Sequence, residues 1–135
     1  MGKDNYRDYV VEAMRYYAIC GCPSEDDLRK LKNVLPEEGI ASYYDLLAVQ
    51  HMLYRLGREE YGPRAVECVK RVYIKKTTSR QDISTRVSIA AMELSVCETW
   101  IYKALRRARI LVALERGLRV NDEADVIVED LIRQK

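Results

Sequence analysis

Short polar signals that begin helices recur along the whole chain, and they constrain its fold more than any other feature of the sequence. The pattern Ser-x-x-Asp begins at Ser24, Ser42 and Ser79, and Asn5 begins a related pattern. In this arrangement the first side chain caps a helix, and the acidic residue three positions later caps it in return. Apolar residues then recur every three or four positions, which is typical of amphipathic helices.

These signals divide the chain into seven predicted helices. Their approximate ranges are 5–21, 24–36, 42–57, 63–73, 79–94, 98–116 and 121–131. The best candidate for a strand lies within residues 69–74, but Val69, Val72 and Tyr73 fit one stripe of a helix better. We therefore predict an all-α fold, a compact helical domain of about seven helices.

The length and composition fit one soluble domain. At 135 residues the chain is long enough to bury a core, and 48% of its residues are hydrophobic. No apolar run approaches the roughly 20 residues that cross a bilayer, and the first ten residues lack the apolar segment of a secretory signal. We expect a cytoplasmic protein with no membrane partner.

Charge is unevenly distributed, although the formal net charge is only +2. Residues 70–119 contain twelve Lys and Arg against four Asp and Glu, whereas residues 1–69 and 120–135 are each net acidic. A concentrated basic segment is a candidate electrostatic footprint for nucleic acid. Scattered arginines on a solvated face would give the same count, so the charge alone does not decide between the two.

Cysteine and histidine usage gives no pattern typical of a metal site or an enzyme. Cys20 and Cys22 form the only close pair, with one residue between them, and His51 is the only histidine. A structural zinc site usually has two cysteine pairs with two to four residues between the members, or one such pair and a pair of histidines. Cys68 and Cys97 lie on apolar stripes and are expected to be buried. The sequence has no glycine-rich phosphate loop and no nucleophile beside His51. We expect no catalytic residue, no metal and no cofactor.

Two predicted helices joined by only three residues, 95–97, have the features of a helix-turn-helix. Ala91 is small where the second helix must cross the first, and Ser95 is small and polar at the turn. Val96 is expected to enter the core between the helices, and Leu94 to close the end of the first. Such a motif places its second helix in the major groove of DNA. We therefore expect this pair to bind double-stranded DNA.

The outward side of the second helix predicts which residues contact DNA. Arg106 and Lys103 are candidates for guanine, and Thr99 either contacts a thymine methyl group or is an ordinary surface residue. Glu98 either accepts from cytosine or lies there because a helix N-terminus favours a carboxylate. Arg107 and Arg109 are expected to contact phosphates or solvent. The predicted DNA-binding set is Glu98, Thr99, Tyr102, Lys103, Arg106 and Arg107, with Ser79, Arg80, Arg86 and Ser88 as phosphate contacts, and Lys70, Arg71, Lys75 and Lys76 would extend it.

Aromatic usage is unusual, because the chain has ten Tyr and no Phe, and eight of the tyrosines precede residue 62. An exposed tyrosine cluster would indicate a protein interface, but Tyr can equally replace Phe at the rim of a small core. Trp100 is expected to pack against the preceding helices.

We divide the chain into an N-terminal helical region for self-association or partner binding (1–61), a helix-turn-helix region (62–119) and a C-terminal amphipathic helix (120–135).

The segment ELSVCETWIYKALRRARILVALERGLR, residues 93–119, resembles the helix-turn-helix of sigma-factor region 4 and of ArpU-type late-gene regulators of Firmicute prophages. A looser similarity links residues 101–108 to the DNA-binding effector domain of the master sporulation regulator. The opening DYVVEAMRYYAICGCPS looks like the start of small proteins of Firmicute phages and mobile elements. Cys97 and Ser95 depart from the Ser and Gly that are commoner at these positions in the relatives. The resemblance implies a DNA-binding bihelical unit.

Together these features predict a sequence-specific double-stranded DNA-binding protein, a transcriptional regulator of phage or mobile-element origin and not an enzyme. A homodimer is expected, because one helix-turn-helix reads few base pairs and a two-fold dimer doubles the site. One alternative is a small-terminase-like DNA-recognition subunit that forms a ring, which a measured molecular mass would distinguish. Another is an interaction module that binds RNA polymerase or a second regulator, which would lack salt-dependent binding to DNA.

Overall fold

The computed structural model describes residues 6–34, 37–74 and 82–118, which form six α-helices and one 3-10 turn and contain no strand. The helices are α1 (Arg7–Ile19), α2 (Glu25–Lys32), α3 (Ile40–Gly57), α4 (Gly62–Val72), α5 (Ile83–Leu94) and α6 (Glu98–Glu115), and the 3-10 turn at Glu37–Gly39 leads into α3. Among these helices, none combines the length with the apolar composition that a bilayer-spanning segment requires. The predicted all-α class is confirmed, while the helix predicted at 121–131 lies outside the described residues.

Capping contacts explain where α2 and α5 begin. Ser24 accepts a hydrogen bond from the N–H of Asp27, and Asp27 accepts one from the N–H of Ser24, so the predicted capping box is present at α2. At α5 the cap is Asp82, whose carboxylate accepts from the N–H of Thr85 at 2.7 Å. This bond holds the pKa of Asp82 below its usual value. α5 therefore starts later than the signal at Ser79 predicts.

The signal at Ser42 does not begin a helix, so that predicted start was wrong. α3 begins at Ile40, directly after the 3-10 turn, and Ser42 lies in its first turn. Asp45 accepts a hydrogen bond from the phenol of Tyr9 and pairs with Arg116 at 2.8 Å. The acidic residue that completes the pattern in sequence is thus used for a contact between helices rather than for a cap.

One hydrophobic core receives side chains from all six helices. α6 lies at its centre, because it packs against α1, α3, α4 and α5. Residues 108–113 of α6 are all buried, whichever side of the helix they occupy. Residues 108–113 of α6 are therefore enclosed by neighbouring helices, whereas the first half of α6 keeps an exposed side and its last two residues, Leu114 and Glu115, reach solvent.

Candidate nucleic-acid interface

The three-residue turn that the sequence predicts joins α5 to α6. Ser95 adopts a left-handed backbone conformation, with φ 55° and ψ 45°, and the N–H groups of Ser95 and Val96 both donate to the carbonyl of Ala91. These bonds end α5 and redirect the chain. Cys97 is the N-cap residue of α6, and it is exposed, so its expected burial was wrong.

The first half of α6 has a buried side that holds the helix in place and an opposite side that faces solvent. The buried side comprises Ile101, Ala104, Leu105 and Ala108, and Trp100 packs partly buried against the same core, as predicted. The outward side carries Thr99, Tyr102 and Lys103, with Arg106 partly exposed. Residues three and four apart on a helix are neighbours, so these four side chains form one surface. We call Thr99, Tyr102, Lys103 and Arg106 the α6 surface.

Ser88 and Glu98, two further predicted residues, are brought together where α5 meets α6. The Oγ of Ser88 donates to Oε2 of Glu98 at 3.3 Å. Glu98 also lies in the first turn of α6, where the helix N-terminus favours a negative charge. The carboxylate of Glu98 therefore links two helices, whatever else it binds.

Several arginines of the basic segment bind groups of the protein itself. Arg71 donates to Glu93 at 2.6 Å, Arg86 to the carbonyl of Val72 at 3.0 Å, Arg107 to Glu59 at 2.5 Å, Arg109 to the phenol of Tyr73 at 2.8 Å, and Arg116 pairs with Asp45 at 2.8 Å. Much of the positive charge between residues 70 and 119 thus stabilises the tertiary structure. A count of basic residues overstates the charge that an approaching ligand meets.

Arg107 and Arg109 illustrate this difference from the sequence-based expectation. Arg109 is only 9% exposed and bonds to Tyr73, so the contact with phosphate or solvent expected for it was wrong. Arg107 directs both Nε and Nη2 at the two carboxylate oxygens of Glu59, and it would have to leave them to reach a phosphate. Glu59 lies 48 residues away from Arg107, and Tyr73 lies 36 residues away from Arg109, so no local pattern reveals these contacts.

The predicted phosphate contacts near α5 are only partly within the described structure. Ser79 and Arg80 lie outside it, as do Lys75 and Lys76. Arg86 reaches back to the end of α4, where its Nη1 donates to the carbonyl of Val72. The last carbonyls of a helix have no partner within the helix, so Arg86 satisfies one of them. Sequence reasoning missed this role because Arg86 and Val72 are 14 positions apart, which is beyond the reach of any helical periodicity.

Tyrosines take both of the roles that the sequence leaves open. Tyr6, Tyr17, Tyr43 and Tyr73 are buried, whereas Tyr9, Tyr16, Tyr44, Tyr54, Tyr61 and Tyr102 are exposed. The phenol of Tyr9 also accepts from Arg116 at 3.4 Å, and the Arg116 guanidinium lies 5.9 Å from the centre of the Tyr44 ring. Burial and the Asp45 carboxylate raise the pKa of Tyr9. This cluster ties the C-terminal end of α6 to α1 and α3.

His51 and Cys68 lie in separate environments within the described structure. Nδ1 of His51 contacts Oε2 of Glu115 at 3.3 Å, and Arg55 contacts the same carboxylate at 3.7 Å. Cys68 is buried, as predicted, and burial raises the pKa of its thiol. Over the ranges that the structure describes, no group of three or more His, Cys, Asp or Glu side chains is placed to hold a metal ion.

Comparisons with known proteins identify no relative of this chain. No family model matches it, and neither a curated protein nor a solved structure matches it significantly. The resemblance to prophage helix-turn-helix regulators therefore stays a prediction.

Proposed function

We propose that this protein is a sequence-specific double-stranded DNA-binding protein, a transcriptional regulator that inserts the first half of α6 into the major groove. The observation that supports this most directly is the α6 surface. It lies on the N-terminal half of a helix whose other side is buried, and that helix follows a three-residue turn. A helix-turn-helix presents this half of its second helix to base edges.

Each side chain of the α6 surface has a suitable role at a base pair or a phosphate. Arg106 can donate two parallel hydrogen bonds to guanine, and Lys103 can donate to the same type of base one position away. The methyl group of Thr99 suits a thymine methyl, and the phenol of Tyr102 suits a phosphate. Arg106 and Lys103 thus supply specificity, and the proposal depends on them more than on the total charge.

The proposed active form is a homodimer. Tyr9 and Tyr44 are exposed beside Arg116, at the C-terminal end of α6. Arg106 is ten residues earlier, which is about 15 Å along a helix at 1.5 Å per residue. Exposed tyrosines are enriched in protein interfaces, so a second copy can bind at this end without covering the α6 surface.

A second function class, binding to RNA polymerase or another regulator, is favoured by one observation. Met92 lies on α5 with 82% of its surface exposed, and Ile89 is exposed on the same helix. Apolar side chains at such positions suit a protein partner better than a phosphate backbone. Under this alternative the protein binds no duplex, and the exposed side of α5 is the interface.

Binding to selected and scrambled duplexes tests the proposal. A duplex is first selected from a random library with the purified protein, and the affinity of Arg106→Ala is then measured for the selected and a scrambled duplex at several salt concentrations. We expect a loss of about 1–3 kcal/mol on the selected duplex and little change on the scrambled one, because Arg106 reads a base. Arg15→Ala is the matched control, since Arg15 is an exposed arginine on α1.

The same experiment separates the two functions. If folded Arg106→Ala binds both duplexes like the wild type, the α6 surface does not read DNA. If the wild type shows no duplex binding that weakens with salt, the interaction-module function replaces the proposed one. Where the protein does bind the selected duplex, light scattering gives the mass of the complex and separates a dimer from a ring.

A further inference from the structure

A groove of about 320 Å³ lies at the surface where α4 packs against α5. The two helices run antiparallel, because Arg86 at the start of α5 bonds to Val72 at the end of α4, and Leu94 at the other end of α5 lies beside Pro63. The groove is on the far side of α5 from the contact between Ser88 and Glu98. Ser88 is two positions, or about 200°, around the helix from Arg86, which lines the groove.

Charged side chains line this groove unequally. Lys70 and Arg71 from α4 and Arg86 from α5 contribute three positive charges, and Glu67 and Glu93 contribute two negative ones. Nη1 of Arg71 donates a hydrogen bond to Glu93 at 2.6 Å, and Nη1 of Arg86 donates one to the Val72 carbonyl at 3.0 Å. The lining of the groove therefore carries a net formal charge of +1, and two of its three positive groups are guanidinium groups.

Both guanidinium groups keep an unused donor in this arrangement. The Nε of Arg71 and the Nε of Arg86 are buried and make no hydrogen bond to any described residue. A buried donor without an acceptor destabilises the structure that contains it. Rotation of either guanidinium toward an anion in the groove would pair these donors, because the Nε and one Nη together form the fork that holds two oxygens of one anion.

We propose that the groove between α4 and α5 binds a small phosphate-bearing compound. A phosphate group offers three oxygens, enough to bind Arg71 and Arg86 together, and Lys70 adds a third positive charge at the same site. When the phosphate binds, the hydrogen bond between Arg71 and Glu93 breaks and Arg71 binds the phosphate instead. The released carboxylate, with Glu67, can accept hydrogen bonds from hydroxyl or amino groups of the compound. The expected ligand class is a phosphate monoester of a hydroxylated or amino-bearing molecule.

A free compound suits the groove better than the backbone of a duplex. Two carboxylates among the lining side chains oppose a polyanion, whereas a single phosphate meets the two arginines and leaves the carboxylates to other groups of the ligand. The groove also lies on the side of α5 opposite the α6 junction. The site does not depend on DNA binding, and the two proposals are tested separately.

Inorganic phosphate is the probe, titrated into the full chain against chloride at constant pH and ionic strength. The arginine Nε–H signals in a nitrogen–proton correlation spectrum report each guanidinium. We expect saturable shifts of the Arg71 and Arg86 signals. Arg71→Gln should weaken phosphate binding by about tenfold or more, because a charge-assisted pair is lost. Glu93→Gln should strengthen it severalfold, because the carboxylate that competes for Arg71 is removed. Arg15→Gln is the control and should leave binding unchanged.

Several results would overturn the proposal. These are shifts that do not saturate, shifts shared by all arginines, or an Arg71→Gln variant that binds phosphate like the wild type. If Arg71→Gln does not fold, Glu93→Gln decides, since unchanged affinity there contradicts the competition. A final titration adds a duplex to the phosphate complex. Retained saturation supports a free ligand, whereas loss of the Arg71 and Arg86 shifts assigns the groove to the DNA backbone and overturns the small-molecule site.

Discussion

The contact between Glu59 and Arg107 should contribute measurably to stability. Glu59 lies between α3 and α4, and Arg107 lies on α6, so the contact ties the first half of α6 to the preceding helices. It is bidentate, with Nε to Oε1 at 2.5 Å, and the two side chains are only 20% and 28% exposed. Exposed pairs contribute about 0.2–1 kcal/mol, whereas removing one partner of a fully buried pair costs about 3–5 kcal/mol. We expect Glu59→Gln to lower the free energy of unfolding by about 1–3 kcal/mol.

A double-mutant cycle with Glu59→Gln and Arg107→Gln, followed by denaturant unfolding, isolates the interaction. The matched control is the pair of Glu12 and Arg15 on α1, whose side chains are 69% and 67% exposed and lie 3.8 Å apart. The coupling energy should exceed about 1 kcal/mol for the first pair and stay below about 0.5 kcal/mol for the control. Equal and small values for both pairs would refute the reasoning, because Arg107 would then be a solvated side chain.

Core, backbone and titration experiments add three contrasting expectations. Leu105→Ala, at a fully buried position, should lower the free energy of unfolding measured with denaturant by about 2–5 kcal/mol. Met92→Ala, at an exposed position, should change it by less than about 0.5 kcal/mol. Gly62→Ala should destabilise by about 1–3 kcal/mol because the added Cβ meets backbone atoms of Leu56 and Gly57, while the added Cβ in Gly57→Ala meets only Val66 at 3.6 Å and should be neutral or stabilising. Burial raises the pKa of Tyr17 from 10.0 to about 12, which favours the neutral phenol that bonds to Pro23 in the folded state. Tyr17 therefore ionises at a lower pH in the unfolded chain than in the folded protein. The stabilisation by neutral Tyr17 is complete below pH 10 and is lost as the pH rises toward 12. Over this range the melting temperature of the wild type should fall toward that of Tyr17→Phe.

Helical periodicity predicted the parts of the fold that depend on neighbours in sequence. The buried stripe of Ile101, Ala104, Leu105 and Ala108 repeats at helical spacing, and the capping box at Ser24 needs only residues three positions apart. The complete burial of residues 108–113 was not predicted, because a stripe pattern assumes a solvent-facing side. The run Ile110–Leu111–Val112–Ala113 is apolar at every position, and that continuity was the available signal.

The fate of the arginines could not be predicted in the same way. Whether an arginine faces solvent or binds an acidic or aromatic partner depends on the packing of helices that are distant in sequence. Arg107 and Arg109 differ by two positions and both follow Arg106, yet they bind Glu59 and Tyr73 in different parts of the fold. The composition of residues 70–119 predicted a charged surface, and the contacts show that a substantial part of that charge is internal.

These internal contacts have a consequence for recognition. Arg107 binds Glu59, Arg109 binds Tyr73 and Arg116 binds Asp45, so α6 is tied at three levels to three different segments of the preceding chain. A helix held in this way cannot tilt relative to the rest of the fold without breaking these contacts. Selectivity of the proposed DNA complex must then come from the side chains of the α6 surface and from the shape of the duplex, which deforms to meet a fixed helix. DNA sites that share the contacted bases but differ in the flexibility of the duplex around them should therefore bind the protein with different affinities.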